Sequence, residues 1–210
     1  HPLLAEIQVL VDVFLIVVAP CCRVLFGDAP EKQPEWSEGV ATALELLPPA
    51  AACAILCSLA FTQWMLGRLN FSVGQFIQLG LSLWAVFIFA SCVAHELVHR
   101  RTESARNLGR VLGGALGYPL LEHEHRVHHV KSGDVVGAER PTVEESIWEF
   151  TARRSISVFR KAVESDRLHA HTRGRRLAGG LPLACAATVA TSIGFWLAGG
   201  ATAALLYAFV

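Results

Sequence analysis

The sequence predicts an all-α integral membrane protein, a bundle of transmembrane helices with a histidine-rich cap on its cytoplasmic side. Three observations predict it. At 53% hydrophobic and 17% charged residues, the chain is more apolar than a water-soluble domain of 210 residues usually is. Its apolar residues are gathered into stretches that approach or reach the roughly 20 residues needed to cross a bilayer. Six of the nine histidines then fall between His95 and His129, directly behind one of those stretches. The formal net charge of +0 hides a strongly basic, water-facing middle, since most of the Lys and Arg lie between Arg100 and Arg176; no nucleic-acid partner is expected.

The first predicted span runs from about Ile7 to Phe26, followed by a polar loop from Asp28 to Glu38 that contains Pro30 and Pro34. A second span covers about Leu47 to Leu66, with Pro48 and Pro49 at its start, where missing amide donors are tolerated. After a short turn, Gly67 to Asn70, the third span covers about Phe71 to Ala94 and leads straight into the first histidine cluster. A water-facing segment of about 95–178 follows and carries most of the Lys and Arg. Within it, Val111 to Leu121 is apolar but too short for a crossing, and reads as a re-entrant or interfacial piece that returns the chain to the side it left.

Glu144 to Arg167 mixes Ile147, Phe150, Ile156, Phe159 and Val163 with Arg153, Arg154, Arg160 and Lys161. That is the pattern of a helix lying on the membrane surface, or of an ordinary amphipathic helix in water. A fourth span covers about Leu181 to Leu197, and another begins near Ala201 and is still apolar at Val210. All of this reads as a single membrane domain over residues 1–210, expected to be incomplete at both ends. The six cysteines lie in or beside apolar segments without zinc-type pairing, so no disulfide framework is expected. Positive residues stay on the cytoplasmic side, which places the basic segment and the histidines there.

The histidines carry the chemistry. In His95-Glu96-Leu97-Val98-His99 the two imidazoles are one helical turn apart on one face. In Glu122-His123-Glu124-His125-Arg126-Val127-His128-His129, the rings of His125, His128 and His129 share a face in the same way. Imidazole is a ligand for Fe, Zn, Cu and Ni alike. Taken alone, the first cluster is the H-E-x-x-H pattern of zinc peptidases, with Glu96 as general base. A zinc hydrolase needs only three protein ligands, however, and the second cluster offers at least three more imidazoles, an excess that favours two metals. A metal-ion transporter should hold its ligands near the bilayer midplane, and the predicted spans contain no histidine.

His95-Glu96-Leu97-Val98-His99-Arg100, then Glu122-His123, then His128-His129-Val130, resembles the integral-membrane alkane monooxygenases and xylene monooxygenases of the fatty-acid desaturase and hydroxylase superfamily. The resemblance implies a non-haem di-iron centre, O2 as co-substrate, hydroxylation of a terminal C–H bond, and electrons from rubredoxin or a ferredoxin with its reductase. It further implies a bacterial inner membrane with the active site on the cytoplasmic side. His95 and His99 match the first box, and His128 and His129 the paired histidines of the second. Between these, the family's E-H-x-x-x-H-H spacing is stretched by one residue, while the H-x-x-H-H spacing of desaturases selects His125. His125 is preferred because it shares the face of the pair, and His123 is the reserve.

Glu96 is a candidate to orient a ligand imidazole, or simply to pair with Arg100. No third box occurs, and His169 and His171 sit among arginines, an electrostatically poor place for a cation. These 210 residues are therefore expected to be the first part of a larger enzyme and inactive alone. An apolar substrate would bind by burial in the bundle, with Trp84, Phe87 and Phe89 as candidate wall residues. Asp12, Gln75 and Gln78 are polar groups within predicted spans, costly in lipid and worth testing for function. Arg153, Arg154, Arg160, Lys161, Arg173, Arg175 and Arg176 could steer an acidic electron donor or hold lipid headgroups in the bilayer.

Overall fold

The computed structural model describes residues 36–131, 140–173 and 180–210, together with Cys21 and Val24. But for those two residues, the first predicted span, with Asp12 in it, lies outside the described residues. Among the described residues there are six helices and no strand: α1 (Glu38–Arg68), α2 (Val73–Val98), α3 (Glu103–Ala115), α4 (Leu121–Lys131), α5 (Ile147–Arg173) and α6 (Gly180–Phe209). Three of them, α1, α2 and α6, are long and apolar enough to cross a membrane.

α1 begins at Glu38, ahead of the apolar stretch, so Pro48 and Pro49 lie inside the helix and not in its first turn. Each lacks the N–H that would reach back one turn, which frees the carbonyls of Leu44 and Glu45. Both residues are exposed, where solvent can take up those acceptors. α2 starts with a capping box: the Ser72 N–H donates to Gln75 Oε1 at 2.8 Å, and the Gln75 N–H donates to Ser72 Oγ at 3.4 Å. Gln75, which the sequence suggests as an intramembrane polar group, is thus a helix cap at the exposed end of α2. Of the aromatic residues proposed to line a channel, Phe87 is 7% exposed, whereas Trp84 and Phe89 face outward.

α6 is broken at Gly199 and Gly200. The backbone of Gly200, at φ 64° and ψ −152°, is in a region essentially closed to residues with a side chain. The chain doubles back there, and Tyr207 stacks on Phe195 with ring centroids 4.9 Å apart and meets Phe87 edge-on. The apolar run that begins near Ala201 is therefore the returning arm of a hairpin. Cys53, Cys57, Cys92 and Cys185 are free thiols, the first three on the outside of their helices.

The short helix α3 is wedged between α2 and α6. The apolar stretch 111–121 forms the end of α3 and the turn into α4. A Cβ at Gly109 would lie 2.9 Å from Leu97 Cβ, and one at Gly114 would overlap the carbonyl oxygen of Ala184, so both approaches require glycine. A helix that ends inside an apolar layer leaves carbonyls without partners. Two hydroxyls meet them here: Thr188 Oγ1 donates to the Gly114 oxygen at 2.8 Å, and the Tyr207 hydroxyl donates to the Ala115 oxygen at 3.0 Å.

Replacing Gly114 with Leu should separate α3 from α6 and destabilise the fold by about 2 kcal/mol or more, the scale of core overpacking. Gly74, where an added Cβ would meet nothing within 4 Å, should accept Ala without loss. Melting curves of the two variants in one detergent check the contrast; equal melting temperatures would show that the wedge contributes nothing to stability.

Candidate metal centre

The last turn of α2 and the body of α4 bring the histidines together. His95 is in the last turn of α2, and His99 caps it with a backbone still close to helical, at φ −81° and ψ −14°. The two rings remain one turn apart, centroids 5.0 Å. Their end of α2 carries the helix's partial negative charge, which favours a cation. Leu97, fully buried against α3, anchors this turn.

His125 sits in the middle of the cluster. Its Nδ1 is 3.2 Å from His95 Nε2, and its Nε2 is 2.6 Å from His99 Nε2 and 2.7 Å from His129 Nε2. An ion that binds imidazole nitrogens at about 2.0–2.1 Å holds them about 3–3.5 Å from one another. The ligand atoms of His95, His99 and His125 all lie within 4.8 Å of one another, so this donor set fits a cation. His128 is at the edge, its ring 6.1 Å from that of His129.

Burial pushes His125 down to about 4, helped by His95, His99, His129 and His128 around it. Its ring is therefore neutral at pH 7, with a lone pair available to a metal.

The other members of the histidine-rich runs are placed elsewhere. His123 leaves the opposite side of α4, is 8% exposed, and has its Nε2 3.7 Å from Asp166 Oδ1 on α5. Burial lowers its pKa, against the pull of Asp166. Glu96 pairs with Arg100 at 3.0 Å, the simpler of its two sequence readings. His169 and His171 belong to α5, but their side chains lie outside the described residues. So do those of Arg173, Arg175 and Arg176. Among the basic residues of α5, Arg153 holds Glu145 through two bonds of 2.6 Å, and Arg154 holds Glu124 on α4 at 2.5 Å.

What positions α4 is a residue pair that no local pattern announces. Arg110 on α3 donates from Nε and Nη2 to the two carboxylate oxygens of Glu122, at 2.6 and 3.0 Å. Their side chains are only 13% and 9% exposed. Burial alone would raise the Glu122 carboxyl, but the Arg110 guanidinium outweighs it and holds the group below its ordinary value. Asp166, likewise, reaches the site only through the fold, where its Oδ2 accepts the Leu181 backbone N–H at 3.2 Å.

In sequence comparisons, neither the protein-family models nor the curated proteins give a match to this chain.

Two outcomes are expected. Glu122→Ala would take away the acceptors of Arg110 Nε and Nη2 and leave Arg110 to Glu103 and Asn107, and should lower stability by about 1–3 kcal/mol; denaturant unfolding of both proteins measures it, and a loss within error would show the pair to be dispensable. Metal-free protein should also weaken in acid. The folded pKa of His125 lies below its unfolded value of 6.5, so the unfolded state binds more protons between the two. Stability is therefore full above about pH 6.5 and declines as pH falls toward 4. A His125→Ala variant should show a flatter melting profile over that range.

Proposed function

We propose that this chain carries two histidine boxes of a membrane non-haem di-iron monooxygenase of the alkane and xylene monooxygenase type, one that hydroxylates a terminal C–H bond of an alkane or alkyl aromatic. The observation that carries the reading is the convergence of His95, His99, His125 and His129, from two helices, beside membrane-length apolar helices. Those four histidines, with His128, would hold iron; further donors would be needed to complete two ions. When bound, the irons would activate O2 with electrons from rubredoxin or a ferredoxin and its reductase.

The chain's own residues bind and orient. An alkane has no polar handle, so its affinity must come from apolar burial, about 0.8 kcal/mol per CH2, of the kind the bundle gives its own Phe87, Phe195 and Leu97. The neutral ring of His125 is present as a ligand before a metal arrives, and the Arg110–Glu122 pair keeps α4 in register with the end of α2. In this reading the histidine-bearing end is cytoplasmic, in a bacterial inner membrane.

A fatty-acyl desaturase of the same superfamily is the second reading. One observation favours it: His125, and not His123, joins the cluster, which is the H-x-x-H-H spacing. Against a zinc peptidase stands the engagement of Glu96, the would-be general base, by Arg100. Against a transporter stands the place of the cluster, at the end of α2 and not in its middle.

The intact enzyme, supplied with rubredoxin and its reductase under 18O2, should convert octane or p-xylene to labelled alcohol. An unlabelled alkene from an acyl thioester alone would select the desaturase, and stoichiometric zinc with peptidase activity would refute both. His129→Ala should lower iron affinity at least about tenfold, since even the loss of a group behind a ligand costs 10–100-fold; iron analysis of the purified variant reads this directly.

A further inference from the structure

Beside the imidazole cluster, with His99 in the wall between them, is a cavity of about 490 Å³ bounded by the end of α2, by α3, α4 and α5, and by the first residue of α6. Its lining holds five arginines against three carboxylates. All three carboxylates are already engaged. Glu103 holds Arg106 at 2.6 Å and Arg110 at 2.9 Å, Glu122 takes the rest of Arg110, and Asp166 accepts the Leu181 N–H.

What remains is a surplus of donors. Arg100 gives Nη2 to Glu96, but its Nε is buried and has no hydrogen-bond partner among the described residues. His123 Nε2, on a side chain that is nine-tenths buried, also makes no hydrogen bond among the described residues, with Asp166 Oδ1 standing off at 3.7 Å. Arg101 and Arg126 line the cavity from exposed positions, and neither makes an ion pair among the described residues. Buried N–H groups without an acceptor are rare in folded proteins and call for an explanation such as a ligand. Two such buried nitrogens, beside two guanidinium groups that make no ion pair among the described residues, suit a multivalent anion.

We propose that this cavity binds a phosphate group, held by the exposed guanidinium groups of Arg101 and Arg126, with Arg100 Nε and, in the tautomer with its proton there, His123 Nε2 turning from their buried positions to meet it. A phosphate presents three or more acceptor oxygens and matches the planar fork of arginine, so it can meet donors that converge from several helices. A carboxylate has two oxygens and would leave part of the wall unmet. The site needs no metal and stands apart from the proposed oxidation chemistry. It lies at the end of membrane-length helices, where lipid phosphates are at hand, so the group can come from a phospholipid headgroup or from a free phosphate compound.

The test uses metal-free intact protein. In phosphatidylcholine nanodiscs it is titrated with radiolabelled inorganic phosphate; in a second arm, nanodiscs of phosphatidylcholine mixed with phosphatidylglycerol are examined by native mass spectrometry for retained lipid. Saturable binding is expected in at least one arm. It should be at least about tenfold weaker in an Arg101→Gln, Arg126→Gln double variant, because charge-assisted hydrogen bonds are lost, with the melting temperature in phosphatidylcholine unchanged. Binding of inorganic phosphate identifies a free phosphate compound, and retention of phosphatidylglycerol alone identifies a headgroup; each supports the site. No binding in either arm, equal binding by the double variant, or acetate competing as well as phosphate would overturn it.

Discussion

The arrangement of the histidines depends on one buried ion pair. Arg110 and Glu122 bind through two parallel hydrogen bonds in surroundings that exclude most water. A pair of this kind gains little over an apolar contact while it is intact, but removal of Glu122 leaves Arg110 Nε and Nη2 without their acceptors and only Glu103 and Asn107 to hold the rest. Its role is to specify position. It ties α4, a short helix made mostly of polar and charged residues, to the well-packed α3, and thereby fixes which face of α4 meets the end of α2. Arg154 on Glu124 adds a second tether from α5, so the helix is held on two sides.

α3 can serve as that anchor because it is itself packed at close range. Glycines bring its backbone against α2 and α6, and the hydroxyls of Thr188 and Tyr207 take the carbonyls at its buried end. Tyr207 is in reach only because the chain reverses at Gly199 and Gly200. The hairpin at the far end of α6 is in this way coupled to the helix that positions the histidines, through a chain of contacts with little slack.

The two features on either side of His99 differ in kind. On one side imidazoles face one another nitrogen to nitrogen at 2.6–3.2 Å, a spacing that suits a shared cation. On the other, N–H donors outnumber acceptors. His99, the cap of α2, borders both, so the proposed cation site and the proposed anion site share a wall.

Much of this was legible in the chain itself. Long apolar stretches determine membrane-length helices wherever they occur, since a backbone in an apolar layer must satisfy its own hydrogen bonds. Helical periodicity of 3.6 residues likewise put His95 with His99, and His125 with His129, and set His123 on the other side of α4. These are local properties, and residues within one turn of each other suffice to read them. Local pattern was also silent on some roles: Gln75, which the sequence places within a predicted span, caps the start of α2 together with Ser72. The partner of Glu122, the wedge made by α3, the reversal that delivers Tyr207, and the donor-lined cavity between α2, α4 and α5 were decided by tertiary structure alone. Each joins residues from different helices, and no spacing along the chain encodes the distance between side chains that meet only when the helices have packed.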